Sequence, residues 1–177
     1  MIAVGIDPSL TCTGVAVIDV EGGAITRRVM SPNIGNTLLA RRNRIRQAVA
    51  GVLATIPARI DVTVIEVPTS RQQFGAQNER TALYWFLVDQ LLARGPVVEV
   101  APSSRAKLAT GSGRATKGQV VSLMRAAFPH AHIPDDNAAD ALALAWAGAR
   151  WGGAEVPAYL PSQEEAHARL DWPSTTH

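Results

Sequence analysis

Cysteine is almost absent from this sequence: Cys12 stands alone among 177 residues. No disulfide can form within the chain, and a reducing cytoplasm is the expected setting. Clusters of cysteine and histidine are missing too. His130, His132, His167 and His177 fall in a loop or in the C-terminal segment, where solvent exposure is expected. No apolar run is long enough to span a bilayer, because Asp, Glu or Arg interrupts each one. The opening MIAVGIDPS has no basic segment, and Asp7 falls where a signal peptide would be apolar. A soluble protein without membrane association is expected, and a composition of 47% hydrophobic and 18% charged residues suits a globular one.

Acids are missing from two long stretches. Between Gly22 and Ile60 there is no Asp or Glu, but there are seven arginines: Arg27, Arg28, Arg41, Arg42, Arg44, Arg46 and Arg59. Between Val100 and Pro134 the charged residues are Arg105, Lys107, Arg114, Lys117 and Arg125. The net charge of +2 is therefore unevenly spread. Such segregation builds either a positive face for a polyanion or ordinary solvated helix faces, and charge alone does not choose between them.

The chain has no internal repeat. Ile2–Asp7 and Gly14–Asp19 read as a hairpin, and Ala24–Met30 as a third strand after Gly22-Gly23. Leu38, Ile45, Val49, Val52 and Ile56 recur at helical spacing. Val62–Val67 reads as a buried, parallel strand reached through that helix. Arg80–Arg94 reads as a second helix. Its Leu83, Leu87 and Leu91 mark one face, and Tyr84, Trp85, Val88 and Leu92 widen the apolar arc until it needs partners on two sides. One partner is the sheet; the other is a second subunit or the tail. Val97–Val100 is a further strand, and Val120, Met124, Ala127 and Phe128 mark a third helix. Asp135-Asp136-Asn137 is an N-cap signal before the helix-forming run Ala138–Ala149. The pattern is α/β: a mixed five-stranded sheet with helices on both faces. Residues 1–150 form one domain. Residues 151–177, rich in Gly, Pro, Ser and Glu, read as a loosely structured tail.

Three acids sit in apolar surroundings. Asp7 ends a buried strand and enters the turn PSLTCTG. Glu66 lies inside VTVIEVP, where alternation cannot put it cheaply in water. Asp140 lies in AADALALAWA, with Asp136 four residues earlier on the same helix face. Each alone has a bland explanation, such as capping a turn. Together they form an all-oxygen donor set of the kind that suits Mg²⁺ or Mn²⁺ rather than zinc, and a buried carboxylate is costly unless paired or bound to metal.

These residues carry a resemblance. GIDPSLTCTGVAVID resembles the first motif of RuvC-type Holliday junction resolvases, VIEVP their second, and NAADALALA their last. Lys107 followed by TGSGRATKGQV resembles their basic, glycine-containing segment. The ordered set covers residues 1–150. The resemblance implies a ribonuclease H-like fold and an endonuclease of DNA recombination and repair. It would cut branched DNA by two-metal hydrolysis, and the two-faced helix Arg80–Arg94 favours a homodimer, which suits paired cuts. It also implies Asp7 as bridging ligand, with Glu66 on one ion and Asp140 with Asp136 or Asn137 on the other. Lys117 would stand near the scissile phosphate. Lys107 and Arg114 would contact DNA, and Phe74 would wedge into an opened junction. The sequence departs from the family at Asn137, where an acid or histidine is usual, and at Ser9, where a glycine is common. Alternative readings are another nuclease of this fold acting on RNA–DNA hybrids, a non-catalytic junction-binding module, and an actin-like ATPase. The last would need two such domains and a longer chain.

Overall fold

The computed structural model describes residues 1–68 and 76–174; Phe74 and His177 lie outside the described residues. Five strands form one sheet: β1 (Ile2–Asp7), β2 (Cys12–Asp19), β3 (Ala24–Met30), β4 (Val62–Glu66) and β5 (Val97–Val100). Their order is β3-β2-β1-β4-β5. The first three strands are antiparallel, while β4 and β5 run parallel to β1. The helices are α1 (Leu38–Thr55), α2 (Gln77–Leu92), α3 (Pro102–Thr110), α4 (Lys117–Ala127), α5 (Asp136–Trp151) and α6 (Pro161–Ala168). The mixed five-stranded sheet expected from the sequence is present. Several bounds move: β2 begins at Cys12 and α2 at Gln77, each earlier than apolar periodicity indicates, while β4 ends at Glu66 and α2 at Leu92 rather than at Val67 and Arg94.

Strand alternation divides the core into two layers. Val4, Ile6, Val15, Val29 and Ile65 face α1 and α2. Ala3, Ala16, Ile18, Val62, Val64 and Val98 face α5, with α3, α4 and α6 around it. The same alternation decides where the strand-end acids lie. Asp7 follows Ile6, and Glu66 follows Ile65, so both belong to the α5 side. Ile6 and Ile65 are paired in register, which places Asp7 and Glu66 next to each other at the carboxyl end of the parallel pair.

Helix α5 is the centre of its layer. Every residue from Ala138 to Ala149 is buried. Seven of those residues are alanine, which brings the helix axis close to the sheet. Two glycines complete the approach: a Cβ on Gly5 would collide with the carbonyl oxygen of Ala141, and one on Gly14 with that of Asn137. Gly14 is the cross-strand partner of Asp7, so the N-terminal turn of α5 lies directly beside that carboxylate. Asp135 caps the turn, accepting from the Ala138 amide at 3.0 Å.

The C-terminal segment is not loose. Its described residues carry α6, which packs on α3. Gln163 is buried and donates to the Leu108 carbonyl at 2.8 Å. Tyr159 packs edge-on against Trp146, whose indole donates to the Pro157 carbonyl at 2.9 Å. Trp172 stacks on Trp151. His167, expected in solvent, is half-buried and bonded to the Ala147 carbonyl oxygen. The composition hides this because a few aromatics among Gly, Pro and Glu carry the attachment. The segment covers the α5 layer, on the opposite side of the sheet from α2. It therefore leaves the outer face of α2 uncovered: Leu83, Tyr84, Leu87, Val88 and Leu91 are buried, but Trp85, Phe86 and Leu92 are exposed. Among the described residues no helix is long and apolar enough to cross a membrane.

Gly5→Ala should destabilise the protein by about 1–3 kcal/mol or more, because backbone rather than a yielding side chain meets the new methyl group. Gly118→Ala, in α4 with open space around it, should be neutral or stabilising by about 0.5–1 kcal/mol. Urea denaturation of both variants checks the contrast.

Candidate active site

Three elements meet at the carboxyl end of β1 and β4. Strand ends supply Asp7 and Glu66, and the second turn of α5 supplies Asp140, which is 4% exposed. From the facing helix α3, Arg105 reaches between them. Its Nε donates to Glu66 Oε2 at 2.7 Å, and its Nη1 is ion-paired with Asp140 Oδ1. At the rim, Lys117 on the first turn of α4 is paired with Asp136 of α5. A capping box of Thr116 and Gln119 starts α4 at that point.

The electrostatics are those of crowded acids. Burial pushes the Asp7 carboxyl up to about 8, with Glu66 and Asp140 adding repulsion and Arg105 opposing it. Asp140 is pushed up to about 6, again first by burial, with Arg105 pulling it back. Burial works against the Arg105 charge, but Glu66 and Asp140 outweigh it, so the guanidinium stays protonated. The hydrogen bond from Lys117 holds Asp136 below the usual carboxylate range, and the same bond raises Lys117.

The donor set fits a hard divalent cation. Among the described residues, Asp7, Glu66, Asp136 and Asp140 have only Arg105 and Lys117 as ion-pair partners, which leaves two negative charges uncompensated when all are ionised. Oxygen donors and surplus negative charge are what Mg²⁺ or Mn²⁺ requires. Among the described residues no three acids, cysteines or histidines close into a ready cation cage; Arg105 stands between Glu66 and Asp140 instead.

The structure brings together Asp7, Glu66, Asp140, Asp136 and Lys117 from the sequence-based candidates. Asn137 adjoins the Cys12 thiol, whereas Asp136 is electrostatically coupled to both Asp7 and Asp140. Lys107 points to α6 and pairs with Glu165 at 3.0 Å. Arg114 is exposed in the turn between α3 and α4. Arg105 is the residue that sequence reasoning missed. It appeared only as one of several basic residues, and its partners lie 39 and 35 positions away.

The sign of the pH dependence follows from Asp7. Its folded-state value lies above the ordinary carboxylate value of 3.8, so the folded protein holds a proton that the unfolded chain loses. That contribution to stability is complete below about 4 and disappears as pH rises through about 8. Without metal, the melting temperature should fall across this window, and Asp7→Asn should remove much of the fall and melt several degrees higher than wild type at its upper end. Excess Mg²⁺ should raise the wild-type melting temperature most where Asp7 is ionised. Scanning calorimetry in EDTA and in Mg²⁺ measures both.

The model of the family described as crossover junction endodeoxyribonuclease RuvC matches residues 3–147. The crossover junction endodeoxyribonuclease RuvC of Parvibaculum lavamentivorans is 32% identical over 157 residues, covering 85% of this chain and 87% of that protein. The protein of the same name from Rhodospirillum rubrum is 31% identical over 143 residues, covering 80% and 85%. Thermus thermophilus RuvC superposes with a TM-score of 0.64 at 24% identity, over 89% of this chain and all of that one. In its complex with a Holliday junction substrate the TM-score is 0.57 at 27% identity, over 89% and 99%. With its acids at the ends of β1 and β4 and in α5, and with a match running through all three, the chain belongs to the RuvC family of crossover junction endodeoxyribonucleases.

Proposed function

We propose that this chain is a metal-dependent endodeoxyribonuclease that resolves four-way DNA junctions. The observation that carries the proposal is the group of Asp7, Glu66 and Asp140, assembled on the ribonuclease H-like sheet of a RuvC family member. The names of its relatives and the substrate in the Thermus thermophilus complex support the same reading.

Asp7, Glu66, Asp140 and Asp136 would hold Mg²⁺ or Mn²⁺, two ions per active site. Bound there, the ions supply Lewis acidity to the phosphodiester and a more acidic water. Asp7 feels every other acid of the group, which supports the reading that it would serve as the ligand common to both ions. Asp136 completes the set in preference to Asn137, because a neutral amide beside Cys12 compensates no charge. The Lys117 ammonium, largely exposed at the rim, meets the charge that develops on the scissile phosphate. Arg114 contacts the DNA backbone. Lys107 contributes less, since Glu165 already holds it. As an enzyme acting on chromosomal DNA, the protein would work in the cytoplasm.

A homodimer would cover the exposed Trp85, Phe86 and Leu92 of α2. Beside them a groove of about 780 Å³ runs between α1 and α2, lined by Leu38, Ile45, Val49 and Leu53 together with Arg41 and Arg46. A two-fold arrangement covers both features with an identical surface and fixes two active sites relative to each other.

Asp7→Asn should abolish cutting while leaving junction binding intact, and Lys117→Ala should slow cutting by about 10²–10³-fold. Synthetic four-way junctions, linear duplex and RNA–DNA hybrid, each with Mg²⁺, Mn²⁺ or EDTA, decide the substrate. Symmetric nicks confined to the junction are expected, and preferential hydrolysis of the hybrid would replace this reading with a hybrid nuclease. Arg114→Ala should flatten the dependence of log affinity on log salt by roughly 0.9 for the phosphate contact it loses.

Light scattering should give a dimer for the wild type. Trp85→Arg combined with Phe86→Ser should give a folded monomer that no longer makes paired nicks. A wild-type monomer at micromolar concentration would refute the dimer.

A further inference from the structure

Arg105 is a cation already seated among the acids, and the proposed nuclease chemistry does not use it. Its guanidinium joins Glu66 on β4 to Asp140 on α5 through two of its nitrogens. Its side chain is only 14% exposed. Such an arrangement neutralises carboxylates that would otherwise repel one another in a site partly closed to water.

Two considerations show that the arginine is not simply an anchor for α3. The helix is held without it: Ala106, Leu108 and Ala109 are buried in the core. Gln163 of α6 bonds the Leu108 carbonyl, and Glu165 pairs with Lys107. The charge balance is the second consideration. With Arg105 and Lys117 in place, four carboxylates have two charges to spare, enough for one dication. Two dications match the four carboxylates only if both basic side chains give up their pairings. The Lys117 pair lies at the exposed rim and parts easily. The Arg105 pairs lie between two of the residues that would bind metal.

We propose that Arg105 is an internal counter-cation, which occupies the place between Glu66 and Asp140 in the metal-free protein and gives it up when a divalent ion binds. The inference rests on the reading of Asp7, Glu66 and Asp140 as metal ligands. It adds an exchange: one buried positive charge replaces another, so neither carboxylate is left uncompensated and the site keeps its shape while empty of metal. The exchange also sets affinity, since an ion that binds between Glu66 and Asp140 must displace a guanidinium bonded to both. A released guanidinium stays tethered to α3 beside the site, where a phosphodiester is the anion that can replace its carboxylate partners.

The test uses the full chain and two readouts that do not depend on cutting. Calorimetry with Mn²⁺ at alkaline pH should show Arg105→Ala binding about tenfold more tightly than wild type, the effect of removing a competing charge. Nitrogen NMR should show the Arg105 Nε–H of the metal-free wild type as a slowly exchanging resonance, identified by its loss in Arg105→Lys. Saturating Mg²⁺ should shift it or exchange it away. A resonance that stays in place while Mg²⁺ saturates the protein would overturn the exchange, as would Mn²⁺ binding that Arg105→Ala leaves unchanged or weakens. If Arg105→Ala does not fold, Arg105→Gln replaces it in the calorimetry, and the wild-type resonance decides by itself. Failure of the wild type to bind Mn²⁺ at all would overturn the ligand assignment together with the exchange, whereas binding with an unmoved resonance would overturn the exchange alone.

Discussion

Close contact between α5 and the β1–β2 hairpin is the constraint on which the site depends. Gly5 and Gly14 remove the side chains that would hold the helix off, and the alanines of α5 narrow its own face. A larger residue at either glycine would meet main-chain atoms, which cannot rotate out of the way. The reward for this approach is geometric. The N-terminal turn of the helix reaches the end of β1, and Asp140 descends among carboxylates that the strands already present. Loosening the contact would separate Asp140 from Asp7 before it exposed any large apolar area.

The assembled acids are costly to the fold. Asp7 is forced toward its neutral form and Asp140 part of the way. Arg105 and Lys117 relieve some of this repulsion, and their distribution is unequal. The lysine pairs at the exposed rim, where solvent screens the interaction. The arginine pairs inside, where both carboxylates lose much of their hydration. Acids crowded in this way cost stability, as expected where a fold gives up stability for a function.

The two faces of the sheet carry different tasks. The α5 face holds the acids and is sealed by α3, α4 and the C-terminal segment, so its apolar surface is satisfied within one chain. The α1–α2 face closes the second core layer but leaves an apolar strip and a groove bordered by arginines outside. The acids and the uncovered apolar strip are thus separated by the thickness of the sheet. The C-terminal segment belongs to the first task, since Gln163 and Glu165 hold α3, the helix that carries Arg105.

Local pattern alone determined most of the framework. The bounds of β1, β3 and β5, the long α1, and α5 with its Asp135 cap are legible because period-two and period-3.6 apolar repeats are properties of neighbouring residues. Asp7, Glu66 and Asp140 were legible for a related reason: a carboxylate inside an apolar run stands out wherever the run folds. What the tertiary structure decided are the pairings between distant residues. The short helix α3 has no strong apolar repeat and exists against α5 and α6. The C-terminal segment is held by a handful of aromatics that composition averages away. Asp136 and Asn137 are adjacent in sequence, and only the turn of α5 sends one toward the acids and the other toward Cys12. Arg105 looks like any other arginine in a basic stretch. Its partner is chosen by where α3 lies across the sheet, and an ion pair spanning more than thirty residues leaves no periodic trace in the chain.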